Sequence, residues 1–237
     1  MKLLIYLFLL FTITDLFPQS DSTDVEYDLF TVKLDNNLLQ VFSNDSTELF
    51  NQKFQNPVFT TADLDSDQVD EYIIIDYKIL DQKKDYTIYV YNTIDTFYCV
   101  DSIKSGFYEP YVYYSEEVRS NVIIAGVPSF NELNIGKTDI SLPFNVWKYG
   151  DYGIVNINDQ IYDLFQSENE GVIDFLDDFF DSNPKNCTSS MMVNNVIAAG
   201  YSNYKHAGEL SVANQFLLKY YLCTDIDTFK KNIDKLL

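Results

Sequence analysis

Five acidic side chains lie within nine residues, in the stretch TADLDSDQVDEYIIIDYK. Asp63, Asp65 and Asp67 alternate with other residues, and Glu71 follows as the ninth residue counted from Asp63. Calcium takes six to eight oxygen ligands and tolerates irregular geometry. These four side chains, the Val69 backbone carbonyl and a water molecule would meet that need. The spacing therefore predicts a calcium site, and a solvated acidic turn without metal is the alternative.

The residues that follow the acidic loop exclude one class of calcium site. An EF-hand loop needs a glutamate at its twelfth position and a helix after it. That position is Ile74, inside the apolar run Tyr72–Ile75. We therefore expect the loop to open into a strand.

DLDSDQVDEYIII resembles the calcium loop of FG-GAP/VCBS-type repeats, the blade units of integrin-α-like β-propellers. Loops of that family have the pattern D-x-D-G-D-G-x-x-D/E before an apolar strand. The resemblance spans about one blade. It implies that Asp63, Asp65, Asp67 and Glu71 bind calcium together with the Val69 carbonyl.

A looser internal repeat accompanies the resemblance. A shift of 49 residues aligns Phe59–Ile75 with Tyr108–Ile124, both of which have an aromatic start, an acidic loop and an Ile-Ile ending. That period has the size of a four-stranded blade. Gln68 stands where the family favours glycine, and the second copy carries Arg119. Closed propellers need four to eight blades, so a propeller and another β domain with one such loop both stay open.

The elements that must position this loop are predicted to be short strands. Residues 27–165 combine β-branched and aromatic runs with turn residues, which predicts an antiparallel meander. Hairpins are expected at Phe30–Phe42, at Glu71–Asn92 and at Tyr152–Phe165, the last turning at Asn158 and Asp159. The fold class is therefore mainly β, with blade-like repeats as one form of it.

Helical spacing of apolar residues begins after Phe165. Val172–Phe180, residues 190–205 and residues 209–222 each place apolar side chains on one face, and a last helix is expected to run through Leu236. We predict a signal peptide at 1–20, a β domain at 21–165 and a helical C-terminal unit at 166–237.

The N-terminus and the charge suggest where the chain acts. Lys2 precedes the apolar stretch Leu3–Ile13, which is short for a bilayer span and suits a signal peptide. No other stretch is a transmembrane candidate, so a secreted, cell-surface or periplasmic protein is expected. The net charge of −20 disfavours nucleic acid and anionic lipid as partners. Cations, basic proteins and uncharged glycans remain.

The chain has three cysteines. If residues 190–205 and 209–222 form an antiparallel helical hairpin, Cys187 and Cys223 meet at its open end, and we predict a disulfide between them. Two buried reduced thiols are the alternative. Cys99 is expected to be a small core residue of a strand.

No pattern of residues indicates catalysis. His206 is the only histidine, which excludes multi-histidine zinc sites, and G-x-S-x-G, C-x-x-C and G-x-G-x-x-G are absent. We expect His206 to be a helix C-terminal residue. Tyr111, Tyr113 and Trp147 could stack on a sugar ring or a peptide, although strand packing also explains such residues.

Together these patterns favour an exported, calcium-stabilised binding or adhesion protein without catalytic activity, whose ligand is a protein or a glycan. A secreted glycan-acting hydrolase that uses carboxylates is the first alternative. A structural accessory protein is the second.

Overall fold

The computed structural model describes residues 23–26, 29–133, 142–150, 153–183, 185–188 and 190–237. These residues form three four-stranded antiparallel sheets followed by four α-helices. The mainly β fold class with a helical C-terminal unit is confirmed. The chain divides into two compact units between Lys53 and Phe54. The predicted signal peptide lies outside the described residues.

Sheet A belongs to the first unit and is a meander of consecutive strands. Its strands are β1 (Thr23–Glu26), β2 (Phe30–Asp35), β3 (Leu38–Ser43) and β4 (Glu48–Lys53). The predicted hairpin at Phe30–Phe42 is confirmed. It turns at Asn36 and Asn37, which have φ values of 46° and 66°. Asparagine tolerates this left-handed region, and such two-residue turns match the twist of antiparallel strands.

Sheet B opens the second unit and carries the acidic loop. Its strands are β5 (Val58–Ala62), β6 (Glu71–Leu80), β7 (Lys83–Asn92) and β8 (Tyr98–Gly106), in that spatial order. The predicted hairpin at Glu71–Asn92 is confirmed, with Asp81 and Gln82 at positive φ in the turn. The acidic loop, residues 63–70, connects β5 to β6.

Sheet C follows with strands β9 (Tyr111–Ser115), β10 (Ser120–Gly126), β11 (Phe144–Gly150) and β12 (Gly153–Asn156). The 49-residue shift places Glu71 over Ser120, the first residues of β6 and β10. Both side chains are buried. The loop before β10 is only residues 116–119, so the acidic loop is longer than its counterpart. The shift therefore aligns the second strand of sheet B with the second strand of sheet C in chain order.

Sheet C packs against a different layer on each face. Successive side chains of β10 point to opposite faces of sheet C. Ile123 faces sheet B, whereas Val122 and Ile124 face the first helix. The core between sheets B and C consists of Leu64, Ile73, Ile88, Val90, Ile103, Ile123 and Ala125. The acidic loop contributes Leu64 to this core, so the loop is anchored between the two sheets.

The predicted hairpin at Tyr152–Phe165 is wrong, because helix α1 (Tyr162–Ser182) already begins there. A distant side chain caps this helix: Glu117 Oε1 accepts hydrogen bonds from the backbone N–H groups of Tyr162 and Asp163 at 2.8 and 3.1 Å. Phe165 is buried and stacks on Phe144 of sheet C at 4.6 Å between ring centroids. The predicted boundary at residue 165 falls inside this helix.

Three further helices complete the chain, namely α2 (Met191–His206), α3 (Leu210–Tyr220) and α4 (Ile226–Asp234). The predicted disulfide is confirmed, since Cys187 precedes α2, Cys223 follows α3 and their sulfur atoms are bonded. The prediction for Cys99 is wrong in part. It lies in β8, but it is an exposed free thiol.

Gly200 lets α2 approach its neighbours closely. A Cβ atom at this position would lie 2.5 Å from Phe216 Cζ and 2.9 Å from Val172 Cγ1. We expect Gly200→Ala to lower the free energy of unfolding by about 1–3 kcal/mol, because overpacking forces the neighbours to move. Urea unfolding followed by circular dichroism measures the change.

Gly171 in α1 is the matched control for that substitution. A Cβ atom there would meet nothing within 4 Å. Gly171→Ala should therefore stabilise the protein by about 0.5–1 kcal/mol through helix propensity alone. Equal effects of the two substitutions would contradict the tight packing at Gly200.

Candidate metal centre

The acidic loop is held in shape by the carboxylate of its first residue. Asp63 Oδ1 accepts hydrogen bonds from the N–H groups of Ser66 and Asp67 at 2.7 and 3.1 Å, and Oδ2 accepts one from Gln68 at 3.1 Å. The Asp67 N–H group also donates a 3.2 Å hydrogen bond to Asp65 Oδ1. These bonds wrap the backbone around Asp63.

Two loop residues adopt the left-handed conformation that favours glycine. Ser66 has a φ of 69° and Gln68 a φ of 76°. Counted from Asp63 these are positions 4 and 6, where the D-x-D-G-D-G pattern carries its glycines. A non-glycine residue there costs roughly 1–2 kcal/mol. The loop therefore adopts a left-handed backbone at both positions although neither residue is glycine.

Three of the predicted ligands converge. Asp63, Asp65 and Glu71 each offer a carboxylate oxygen, and these oxygens lie within 4.8 Å of one another. Glu71 is fully buried, and its Oε2 accepts a 2.8 Å hydrogen bond from the Leu64 N–H group. Its Oε1 has no hydrogen-bond partner in the described part of the chain. A buried carboxylate oxygen without a partner is costly, and a cation would satisfy it.

The pKa values of the cluster reflect this crowding. Burial, reinforced by the charges of Asp65 and Asp67, raises the pKa of Glu71 from 4.5 to about 7. Burial and the Asp67 charge also raise the pKa of Asp65. Glu71 and Asp65 thus resist ionisation when no cation is present. A bound cation would reverse that preference, because an opposite charge favours the ionised form.

Two other predicted ligands lie at the margin of the cluster. Asp67 is exposed, and its Oδ1 accepts a 2.8 Å hydrogen bond from the Val69 N–H group. The three converging oxygens do not include one from Asp67. Coordination by Asp67 and by the Val69 carbonyl therefore stays a prediction. The structure supports a cluster that could hold a metal ion, built from Asp63, Asp65 and Glu71.

The loop is joined to sheet C by two side chains that the sequence patterns did not single out. Asn121 Nδ2 donates a 2.9 Å hydrogen bond to the Asp63 carbonyl, and Ser120 Oγ donates a 3.4 Å bond to the Leu64 carbonyl. The repeat alignment could have found Ser120, because it is the counterpart of Glu71. These bonds couple the acidic loop to the neighbouring sheet.

We expect Asn121→Ala to loosen the acidic loop. Loss of the bond to the Asp63 carbonyl removes about 1 kcal/mol, which should raise the hydrogen-exchange rates of the Ser66, Asp67 and Gln68 amides about fivefold. Tyr114→Ser is the control, because Tyr114 is the exposed cross-strand neighbour of Asn121. Exchange rates that rise equally in both variants would contradict a specific role for Asn121.

The three aromatic residues predicted as a ligand platform do not share a surface. Tyr111 and Tyr113 are paired with Ile124 and Val122, whereas Trp147 is paired with Ile123. Tyr111 packs on the face of sheet C that meets α1, and Trp147 packs on the face that meets sheet B. Strand packing accounts for Tyr111 and Trp147, while Tyr113 is 41% exposed.

His206 is the last residue of α2, as expected. Its Nδ1 lies 2.9 Å from the Phe144 carbonyl, and because a carbonyl only accepts, Nδ1–H must donate. Burial lowers the pKa of His206. The imidazole therefore joins the end of α2 to sheet C.

The chain matches no protein-family model, no curated protein and no solved structure. None of the helices in the described ranges has the length and hydropathy needed to cross a bilayer.

Proposed function

We propose that this chain is an exported, calcium-stabilised binding or adhesion protein without catalytic activity. The observation that carries the proposal is the convergence of Asp63 and Asp65 on the fully buried Glu71, whose Oε1 lacks a partner in the described residues. Carboxylate oxygens are hard ligands, which suit calcium and magnesium better than softer metals. The irregular loop favours calcium, which tolerates irregular coordination geometry, over magnesium, which demands a near-ideal octahedron.

Two further observations support calcium as the cation. Ser66 and Gln68 have positive φ at the two positions where the FG-GAP/VCBS pattern carries glycine, which supports the resemblance. The cluster also lies where the loop joins sheets B and C, because Leu64 is buried between them. A cation at this place would stabilise the packing of the two sheets. We infer an FG-GAP-type loop on blade-like sheets.

Export is supported by the disulfide. Disulfides persist in oxidising compartments and are rare in the cytosol, and Cys187 is bonded to Cys223. Together with the apolar N-terminal stretch, this favours secretion or display at the cell surface. Mass spectrometry of protein recovered from the medium or periplasm of expressing cells would show whether the N-terminal residues are removed.

Calorimetric titration of chelator-treated protein with calcium tests the metal site. We expect a saturable heat with one ion per chain and a rise in Tm, since calcium at about 100 times its Kd stabilises the folded state by about 2.7 kcal/mol. A parallel titration with magnesium separates the two hard cations. An absence of heat at millimolar calcium, with a Tm that the chelator does not change, would refute the proposal.

A further inference from the structure

A cleft of about 420 Å³ opens beside the acidic cluster. It is lined by Asp65, Asp67, Lys148, Tyr149 and Gly150. Asp65 belongs both to the cleft and to the three converging carboxylates. Because Glu71 is fully buried whereas Asp65 is exposed, the cleft is a route from solvent to the cluster.

The cluster alone does not complete the coordination of calcium. The ion takes six to eight oxygens, and three carboxylates supply at most six even if each is bidentate. Glu71 Oε2 already accepts the Leu64 N–H group, and Asp63 accepts three backbone N–H groups. These three carboxylates therefore leave room in the coordination sphere for oxygens from solvent or from a ligand, and the cleft is where such oxygens can enter.

The charges around the cleft decide which oxygens these are. Asp63, Asp65, Asp67 and Glu71 together outweigh one divalent cation and the Lys148 ammonium. The whole chain is also strongly acidic, with a net charge of −20. A carboxylate or phosphate ligand would enter a negative field, so a neutral oxygen ligand is favoured. The hydroxyl groups of a sugar are neutral, and a vicinal pair offers two oxygens side by side.

The remaining walls suit a sugar. Lys148 donates hydrogen bonds and Asp67 accepts them, which matches the dual character of hydroxyl groups. Tyr149 lines the cleft and is half-buried, because it also packs against the core between sheets B and C. Aromatic rings offer sugars an apolar surface with a polar edge.

We propose that the cleft binds a neutral saccharide through a vicinal diol that completes the coordination of the calcium ion. This inference rests on the calcium site of the proposed function and adds a class of ligand to it. Lys148 hydrogen-bonds a further hydroxyl, and Tyr149 packs against the ring.

The test is retention of the chelator-treated full chain on resins that carry mannose, galactose, fucose or N-acetylglucosamine, with and without millimolar calcium. Resins with sialic acid, heparin or an acidic peptide represent anionic ligands. We expect retention on at least one neutral sugar, only with calcium, and elution by chelator. Lys148→Ala should weaken this binding about tenfold or more, since a hydrogen bond to a charged group is worth about 1.5–3 kcal/mol.

Lys104→Ala is the matched control. Lys104 is an exposed lysine of β8 outside the cleft lining, so its loss changes the net charge equally. Lys104→Ala should leave sugar binding unchanged. Both lysine variants should bind calcium with the same heat as the wild type. A loss of sugar binding in Lys148→Ala that is no larger than the loss in Lys104→Ala would contradict the role of Lys148.

The outcomes separate this inference from the proposed function. If calcium binding released or absorbed heat but the protein was not retained on any neutral sugar, the saccharide site would be refuted and the calcium site would still be supported. Retention that survives chelator would show that recognition does not use the metal. Retention on the anionic resins alone would refute a neutral saccharide as the ligand and indicate an anionic one. A missing calcium heat would refute the proposed function and the inference with it.

Discussion

Removal of the Cys187–Cys223 disulfide should lower the free energy of unfolding by about 4 kcal/mol. The bridge closes a loop with a sequence separation of 36 around the α2–α3 hairpin. In the chain-entropy model a loop of this size restricts the unfolded chain by about that amount. The variant that replaces both cysteines with alanine should therefore unfold at a lower urea concentration, as measured by circular dichroism.

Cys99→Ala is the control for that experiment. Cys99 is an exposed free thiol in β8, so its replacement should change stability by less than about 0.5 kcal/mol. Thiol titration of the denatured wild type should find one thiol before reduction and three after it. If the titration found one and then three thiols but the variant without Cys187 and Cys223 was as stable as the wild type, the bridge would not stabilise the protein.

Local chemistry explains which parts of the fold could be predicted from the sequence. The hairpins around Asn36-Asn37 and Asp81-Gln82 have alternating apolar strands, and Asn36, Asn37 and Asp81 are residue types that tolerate positive φ. Both signals lie within a few residues, so no knowledge of tertiary contacts was needed. The disulfide followed from the helical hairpin in the same way.

The start of α1 could not be predicted, because a distant residue determines it. Ile161 precedes the helix without a side-chain cap of its own. Glu117, in the loop between β9 and β10, supplies the acceptor instead. A short apolar run such as QIYDLF does not by itself distinguish strand from helix. Stacking of Phe165 on Phe144 favours the helical form.

The candidate site, like the fold, could be predicted only where the signal is local. The spacing of Asp63, Asp65 and Glu71 identified three carboxylates that converge. The sequence did not indicate that Glu71 would be fully buried, since acidic side chains are seldom buried unless paired. Lys148 was also missed, because β11 reaches the cleft only through the packing of sheet C against sheet B.

Because Glu71 is buried, we expect Glu71→Gln to change the free energy of unfolding strongly. The sign of this change should depend on whether calcium is present. In chelator at pH 8, Glu71→Gln should raise the free energy of unfolding by up to about 3 kcal/mol, the equivalent of the shift in its pKa from 4.5 to about 7. The amide avoids the burial of a charge. It can still accept the Leu64 N–H hydrogen bond and can donate toward Asp63 or Asp65.

The pH dependence of this gain follows from linkage. Because the folded-state pKa of Glu71 is raised, the folded wild type binds more protons than the unfolded chain between pH 4.5 and about 7. Its stability therefore falls relative to Glu71→Gln as pH rises through that window. Below about pH 4.5 the carboxyl is protonated in both states, and the two proteins should be equally stable.

Calcium should reverse the order of stability. The wild type gains the binding free energy of the ion, about 2.7 kcal/mol at 100 times Kd, whereas Glu71→Gln lacks one of the three converging carboxylates and gains less. Tm measurements in chelator and in millimolar calcium, at pH 4.5 and pH 8, test all four conditions. Asp70→Asn is the control, because it removes one acidic charge from the exposed neighbouring residue. If Asp70→Asn gave the same gain in chelator and the same loss in calcium, general charge repulsion would explain both results, and the buried carboxylate would have no special role.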